Sequence, residues 1–186
     1  MSQENVDVVR QPFAVKARSR RGVEERVYLR FPSVVAFVTR AFWRLSPRSR
    51  PRRALLLRVS QLGFDALNRE DFASSFMLYH PHVEFITPPS FVALGFDPVY
   101  RGREGRSEFQ RGWTAEWGEM RFEPEEMLDL GDRVVFVGRV KGSGLSSGAG
   151  FESDWAVLLT IPAERVIREQ PFFDRWEALE AAGLEE

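Results

Sequence analysis

Few side chains in this sequence are of a type and spacing that could do chemistry. The stretch HPHVE sets His80 and His82 two residues apart, and on a strand His82 and Glu84 share one face. Zinc takes three or four protein ligands, and no further ligand stands nearby at a recognisable spacing, so no metal site is predicted. The chain has no cysteine, which removes disulfides, thiolate metal sites and thiol nucleophiles together. The run GSGLSSGAG follows one strand pattern and leads into another, so it is read as a hairpin loop and not as a phosphate cradle before a helix.

Aromatic residues make a stronger pattern. In VYRGREGRSEFQRGWTAEW the spacing predicts a helix over Arg103 to Trp117, with Trp113 and Trp117 four residues apart and Phe109 one turn back. Ordinary core filling accounts for most such stripes. The functional alternative is the wall of an apolar cavity.

The elements that would position these residues read as follows. With 186 residues, 44% hydrophobic and 28% charged, the chain suits one packed domain with an appendage. Its N-terminus lacks a secretory pattern and no apolar run is long enough for a membrane span, so a cytoplasmic protein is expected. Net charge is only -1, yet residues 1–60 hold 14 Arg or Lys against 4 Asp or Glu, while the remainder is strongly acidic. A basic arm on an acidic domain is the result.

After a polar stretch with one short helix near Val23 to Leu29, SVVAFVTRAFWRL repeats Val34, Val38, Ala41 and Leu45 at helical spacing. The basic, proline-bearing SPRSRPRR then closes an arm at residue 52, and residues 53–186 form the domain. A helix through ALLLRVSQLGFDALN, a shorter one from Asp71 to Leu78 and a strand from His82 to Ile86 come next. Four strand patterns follow the tryptophan helix: Arg121 to Leu128, Arg133 to Lys141, Phe151 to Ile161 and Arg165 to Phe172. Helices first and a strand meander after them predict an α+β domain with helices on one face of a curved sheet.

Five segments in order, LGFDALNREDF, YHPHVEFITPP, VYRGREG, FEPEEMLDLGDRVVFVGRVKGSG and RVIREQPFFDRWEALEAAGL, resemble the SnoaL-like branch of the nuclear transport factor 2-like superfamily. The resemblance spans Arg53 to Leu184. The basic prefix also resembles an extension seen on some bacterial members. The resemblance implies a cone: a bent antiparallel or mixed β-sheet wrapped around three helices, with a pocket between them and frequent homodimers through the outer sheet face. It does not settle function, because members include isomerases, cyclases and epoxide hydrolases beside non-catalytic binders.

Residue by residue, the known chemistries are incomplete. The isomerase tyrosine position falls at Gly63, its basic carboxylate at Thr87 and its second acid at Val157, so all three groups are missing. The epoxide hydrolase arginine falls at Arg139, but its carboxylates fall at Lys141 and Pro171. The histidine common in cyclase relatives is Val157 here; Asp154 is near, but strand alternation sets it opposite Trp155 and Val157. The remaining catalytic candidates are Asp154, Arg139, Glu84 and Tyr79. The implied cavity wall gathers Gly63, Phe64, Phe85, Thr87, Phe109, Trp113, Trp117, Trp155 and Val157, which suits a flat or greasy molecule in a cavity of a few hundred cubic ångströms.

Three functions are therefore in contention. The first is a binding protein for an apolar or aromatic small molecule, without strong catalysis and without a cofactor. The second is an isomerase, cyclase or hydrolase using relocated acid-base groups. The third is a dimeric interaction module whose arm meets a partner or an anionic membrane. Packing of the arm helix on the cone is preferred to membrane contact, since Phe37, Phe42 and Trp43 spread around it. No nucleic-acid binding is expected, because the arginines are interleaved with aliphatics and no recognition motif occurs.

Overall fold

A computed structural model describes residues 9–13, 20–115, 117–144 and 148–184. Along the chain run β1 (Val9–Pro12), α1 (Val23–Arg30), α2 (Pro32–Trp43), α3 (Arg50–Leu67), α4 (Phe72–Ser75), β2 (Tyr79–Ile86) and α5 (Pro89–Val92). The second half holds β3 (Val99–Arg101), α6 (Gly102–Thr114), β4 (Trp117–Asp129), β5 (Arg133–Gly144), β6 (Gly150–Thr160), β7 (Val166–Phe172) and α7 (Arg175–Ala181). The strands form one mixed sheet in the order β1-β4-β5-β6-β7-β2-β3. Neighbours from β4 to β7 are antiparallel, as their short connections favour, and β2 joins β7 in parallel.

Strict alternation along β5 and β6 gives the sheet two apolar faces. Val134, Phe136, Val140, Trp155 and Val157 turn to the concave side, against Leu56, Phe64 and Leu67 of α3. Val135, Val137, Ala156 and Leu158 turn outward and are covered by Ala178, Leu179 and Ala182 at the C-terminal helix. That helix starts where the Asp174 carboxylate accepts from the backbone N–H of Trp176 at 2.7 Å and of Glu177 at 3.0 Å. The outer face away from α7 is a charged ladder, with Arg139 bridging Glu125 and Glu152, and Lys141 paired with Glu123.

The bend has a local cause. Pairing of β4 with β5 shifts register between Pro124 and Glu126, and the opposing residue is Gly138. A β-carbon on Gly138 would lie 2.2 Å from the Glu123 carbonyl oxygen, so the two backbones close together only because no side chain intervenes.

Two local expectations are corrected. The helix with the tryptophans ends at Thr114, and Trp117 opens β4, its backbone paired with Gly144. Sheet pairing overrides the helical spacing there, so Trp113 and Trp117 do not stack on one helix; the Trp117 side chain lies outside the described residues. The helix expected from Asp71 to Leu78 is a single turn, because Tyr79 already belongs to β2.

The basic N-terminal segment is built into this fold. β1 adds to the sheet edge beside β4, and the boundary expected after residue 52 falls within the first turn of α3. Helix α1 is tied down through Glu25 to Arg69 and through Arg21, which donates to both Asp71 oxygens at 2.6 Å. Buried Arg52 holds the end of α2: it grips Asp129 at 2.9 and 2.7 Å and donates to the Trp43 carbonyl at 2.7 Å. Its guanidinium lies 4.1 Å from the centre of a Trp43 ring.

Candidate functional site

Between α3, α6 and the concave sheet lies a cavity of about 120 Å³. Helix α3 supplies Leu56, Val59, Gly63 and Phe64; α6 supplies Phe109 and Trp113; the sheet supplies Phe85, Phe122, Phe136, Trp155 and Val157. The rings meet edge to face: Phe64 with Phe136 at 5.0 Å, Phe64 with Trp155 at 5.6 Å, and Phe122 with Trp155 at 5.3 Å. Such interlocked rings make a stiff apolar wall. Its volume is below the few hundred cubic ångströms expected, and close to the roughly 150 Å³ of an engineered cavity that holds benzene.

Helix α2 closes one side through Thr39, Phe42 and Trp43. Three ties hold this lid. The Trp43 indole N–H donates to the Ile161 carbonyl at 2.7 Å, Arg40 pairs with Glu164 at 3.0 Å, and Arg52 binds the Trp43 carbonyl.

The polar part of the wall was largely unforeseen. Arg106 of α6 donates through Nε and Nη2 to the two oxygens of Glu169 on β7, at 2.7 and 2.9 Å, and through Nη1 to the Gln110 side-chain oxygen at 3.0 Å. All three side chains are buried. The Arg106 guanidinium also lies 4.5 Å from the Phe85 ring centre and 4.9 Å from that of Phe76, a setting suited to its flat, weakly hydrated charge. Tyr79 completes the group. Burial pushes its phenol well above the ordinary value, the negative Glu169 adds to the shift, and Arg106 partly opposes it. At neutral pH this phenol keeps its proton, donates it in a hydrogen bond to Glu169 and does not act as a base.

The sequence candidates divide accordingly. Gly63, Phe64, Phe85, Phe109, Trp113, Trp155, Val157 and Tyr79 line the cavity, as does Pro171. Thr87 does not; its hydroxyl donates to the Asp97 carbonyl at 2.6 Å and closes the following loop. Asp154 and Arg139 face each other across β5 and β6 on the exposed outer face, one residue out of phase with the cavity. Glu84 pairs with exposed Arg101 on the side opposite buried Phe85. His80 and His82 lie tilted against each other with ring centres 5.6 Å apart and do not line the cavity. Among the described residues no three His, Cys, Asp or Glu side chains are grouped to hold a metal ion. The signal for Arg106 and Glu169 in the sequence was a charged residue at an inward position of a helix and of a strand, visible only once the face was known.

A mixed bent sheet packed on helices, with an apolar cavity inside, defines a nuclear transport factor 2-like protein. The chain belongs to the SnoaL-like domain family, which matches residues 62–169. An NTF2-like protein of unknown function from Burkholderia pseudomallei is 20% identical with a TM-score of 0.58, over 66% of this chain and 93% of that one. TerC, co-crystallized with polyporic acid, is 24% identical with a TM-score of 0.57, over 66% and 94%. A putative SnoaL-like polyketide cyclase from Shewanella denitrificans is 16% identical with a TM-score of 0.52, over 67% and 93%. No curated protein matches the sequence.

Proposed function

We propose that this SnoaL-like protein binds a small, flat, mainly apolar molecule carrying one oxygen function, and that binding is its main task. One observation supports this above others: among the described residues, both carboxylates on the cavity wall are held by arginines, Glu169 by Arg106 and Glu164 by Arg40. A general base must be free to take a proton. Glu169 meets Nε and Nη2 of Arg106 with one oxygen each, and the Tyr79 phenol keeps its proton at neutral pH. The rings would hold the apolar body, and the Tyr79 hydroxyl would turn from Glu169 to donate to a carbonyl or hydroxyl oxygen of the ligand.

Tryptophan fluorescence titration with one- and two-ring phenols, quinones and terpenoid alcohols, followed by mass spectrometry of the recovered ligand, tests this. Saturable binding with the ligand returned unchanged is expected. Absence of saturation across the panel would remove the reading.

An enzymatic reading has one feature in its favour, a hydrogen-bond donor beside a carboxylate in a largely apolar site. It requires Glu169 to leave Arg106 during turnover. A ligand of changed mass or isomeric form, lost with Glu169→Gln, would establish it.

A further inference from the structure

Helix α2 is apolar on two sides. Its inner side carries Thr39, Phe42 and Trp43 to the cavity. Its other side carries Phe37 and the sequence repeat Val34, Val38 and Ala41, continued just past the helix end by Leu45, and all of these are exposed. Phe37 is 74% and Val34 59% exposed, and Phe31, which joins α1 to α2, is 52% exposed. The stripe is thus continuous from Phe31 to Leu45 at helical spacing. Solvated charge surrounds it. Residues 26–64 contain nine arginines and no Asp or Glu, and Arg26, Arg30, Arg44 and Arg50 are exposed.

We propose that this face docks on an anionic lipid surface, with the aromatic and aliphatic stripe at the acyl boundary and the arginines among the headgroups. Exposed phenyl and isopropyl groups on a helix rimmed by guanidinium suit a negatively charged bilayer surface. A second copy of the chain fits less well. An isologous contact through the stripe would bring exposed Arg30 and Arg44 against the same residues of the second copy. No described helix is long and apolar enough to cross a membrane, so the contact is peripheral. The inference stands apart from the ligand reading, since it is measured without a ligand; its consequence is that the lid of the cavity would lie against the lipid.

The test is cosedimentation of the full chain with phosphatidylcholine vesicles, with and without about one third phosphatidylglycerol, in about 0.1 M and about 0.5 M salt. Binding to the anionic vesicles, at least about tenfold above the neutral ones and largely lost at the higher salt, is expected. The paired variant Val34→Glu/Phe37→Glu is expected to lose about tenfold or more in partitioning with an unchanged melting temperature, both sites being exposed. Arg30→Gln/Arg44→Gln is expected to reduce the preference for anionic lipid. Equal binding to both vesicle types overturns the proposal. So does a glutamate variant that keeps its melting temperature and its vesicle binding, including one whose only change is from dimer to monomer in light scattering.

Discussion

Arg106 on α6 and Glu169 on β7 share a bidentate ion pair, 2.7 and 2.9 Å, buried at the edge of an otherwise apolar cavity. The pair joins a helix to the sheet and also occupies the carboxylate most favourably placed for proton transfer. Glu169→Ala would leave the guanidinium buried beside Phe85 without its counter-charge, at an expected cost of about 3–5 kcal/mol in urea unfolding. Replacing both partners together, Arg106→Met with Glu169→Leu, is expected to recover most of that loss. A double variant as unstable as the single one would contradict the account.

Tyr79→Phe isolates the proposed hydrogen bond to ligand. An oxygen-bearing ligand is expected to bind about five- to tenfold more weakly, in line with about 1 kcal/mol for one such bond. Its hydrocarbon analogue is expected to bind the variant and the parent alike. Equal weakening of both ligands would assign Tyr79 to packing alone.

Trp43 tests the lid. Its indole N–H reaches the Ile161 carbonyl at 2.7 Å and its ring lies under Arg52. Trp43→Ala is expected to destabilise by about 3 kcal/mol and to admit three-ring ligands that the parent's small cavity refuses. Calorimetric titration of a graded ring series reads the change, and an unaltered size limit would place the constraint elsewhere.

Gly138→Ala addresses the bend. With 2.2 Å between the added carbon and the Glu123 oxygen, β4 and β5 must separate at the bulge. A loss of about 3 kcal/mol or more is expected from such a clash with backbone, read by thermal unfolding. A near-neutral result would show that the bulge adjusts freely.

The tie between α1 and α4 carries a pH dependence. Hydrogen bonds from Arg21 first, then from Ser74 and Arg69, hold the Asp71 carboxyl well below the usual carboxylate range. Asp71 therefore stays charged in the folded chain where the unfolded chain takes up a proton. Its stabilisation is complete above its unfolded pKa, about 4, and is lost as pH falls toward the lower folded value. The stability difference between the parent and Asp71→Asn should narrow from about pH 7 to about pH 3. A constant difference would count against the tie.

Most of the architecture was legible because it rests on local periodicity. The strands β4 to β7 alternate, α3 repeats apolar residues without a break, and the turn glycines and prolines separate them. These patterns set the order of elements and which strand residues share a face, including the outward position of Asp154. The single-strand edge β1 and the end of the tryptophan helix were not legible. Both are decided by pairing with residues far along the chain, Val9 with Asp129 and Trp117 with Gly144.

The candidate site divides along the same line. From its sequence alone this chain is rich in aromatic residues and has no thiol chemistry. Only the fold brought Arg106 onto Glu169 across 63 residues and set Tyr79 beside them. It also turned the apolar repeat of α2 outward, because Phe42 and Trp43 bury more surface against the cavity than valines would. Periodicity states which residues share a face; which face is buried depends on what packs against it, and that partner is chosen by the whole chain.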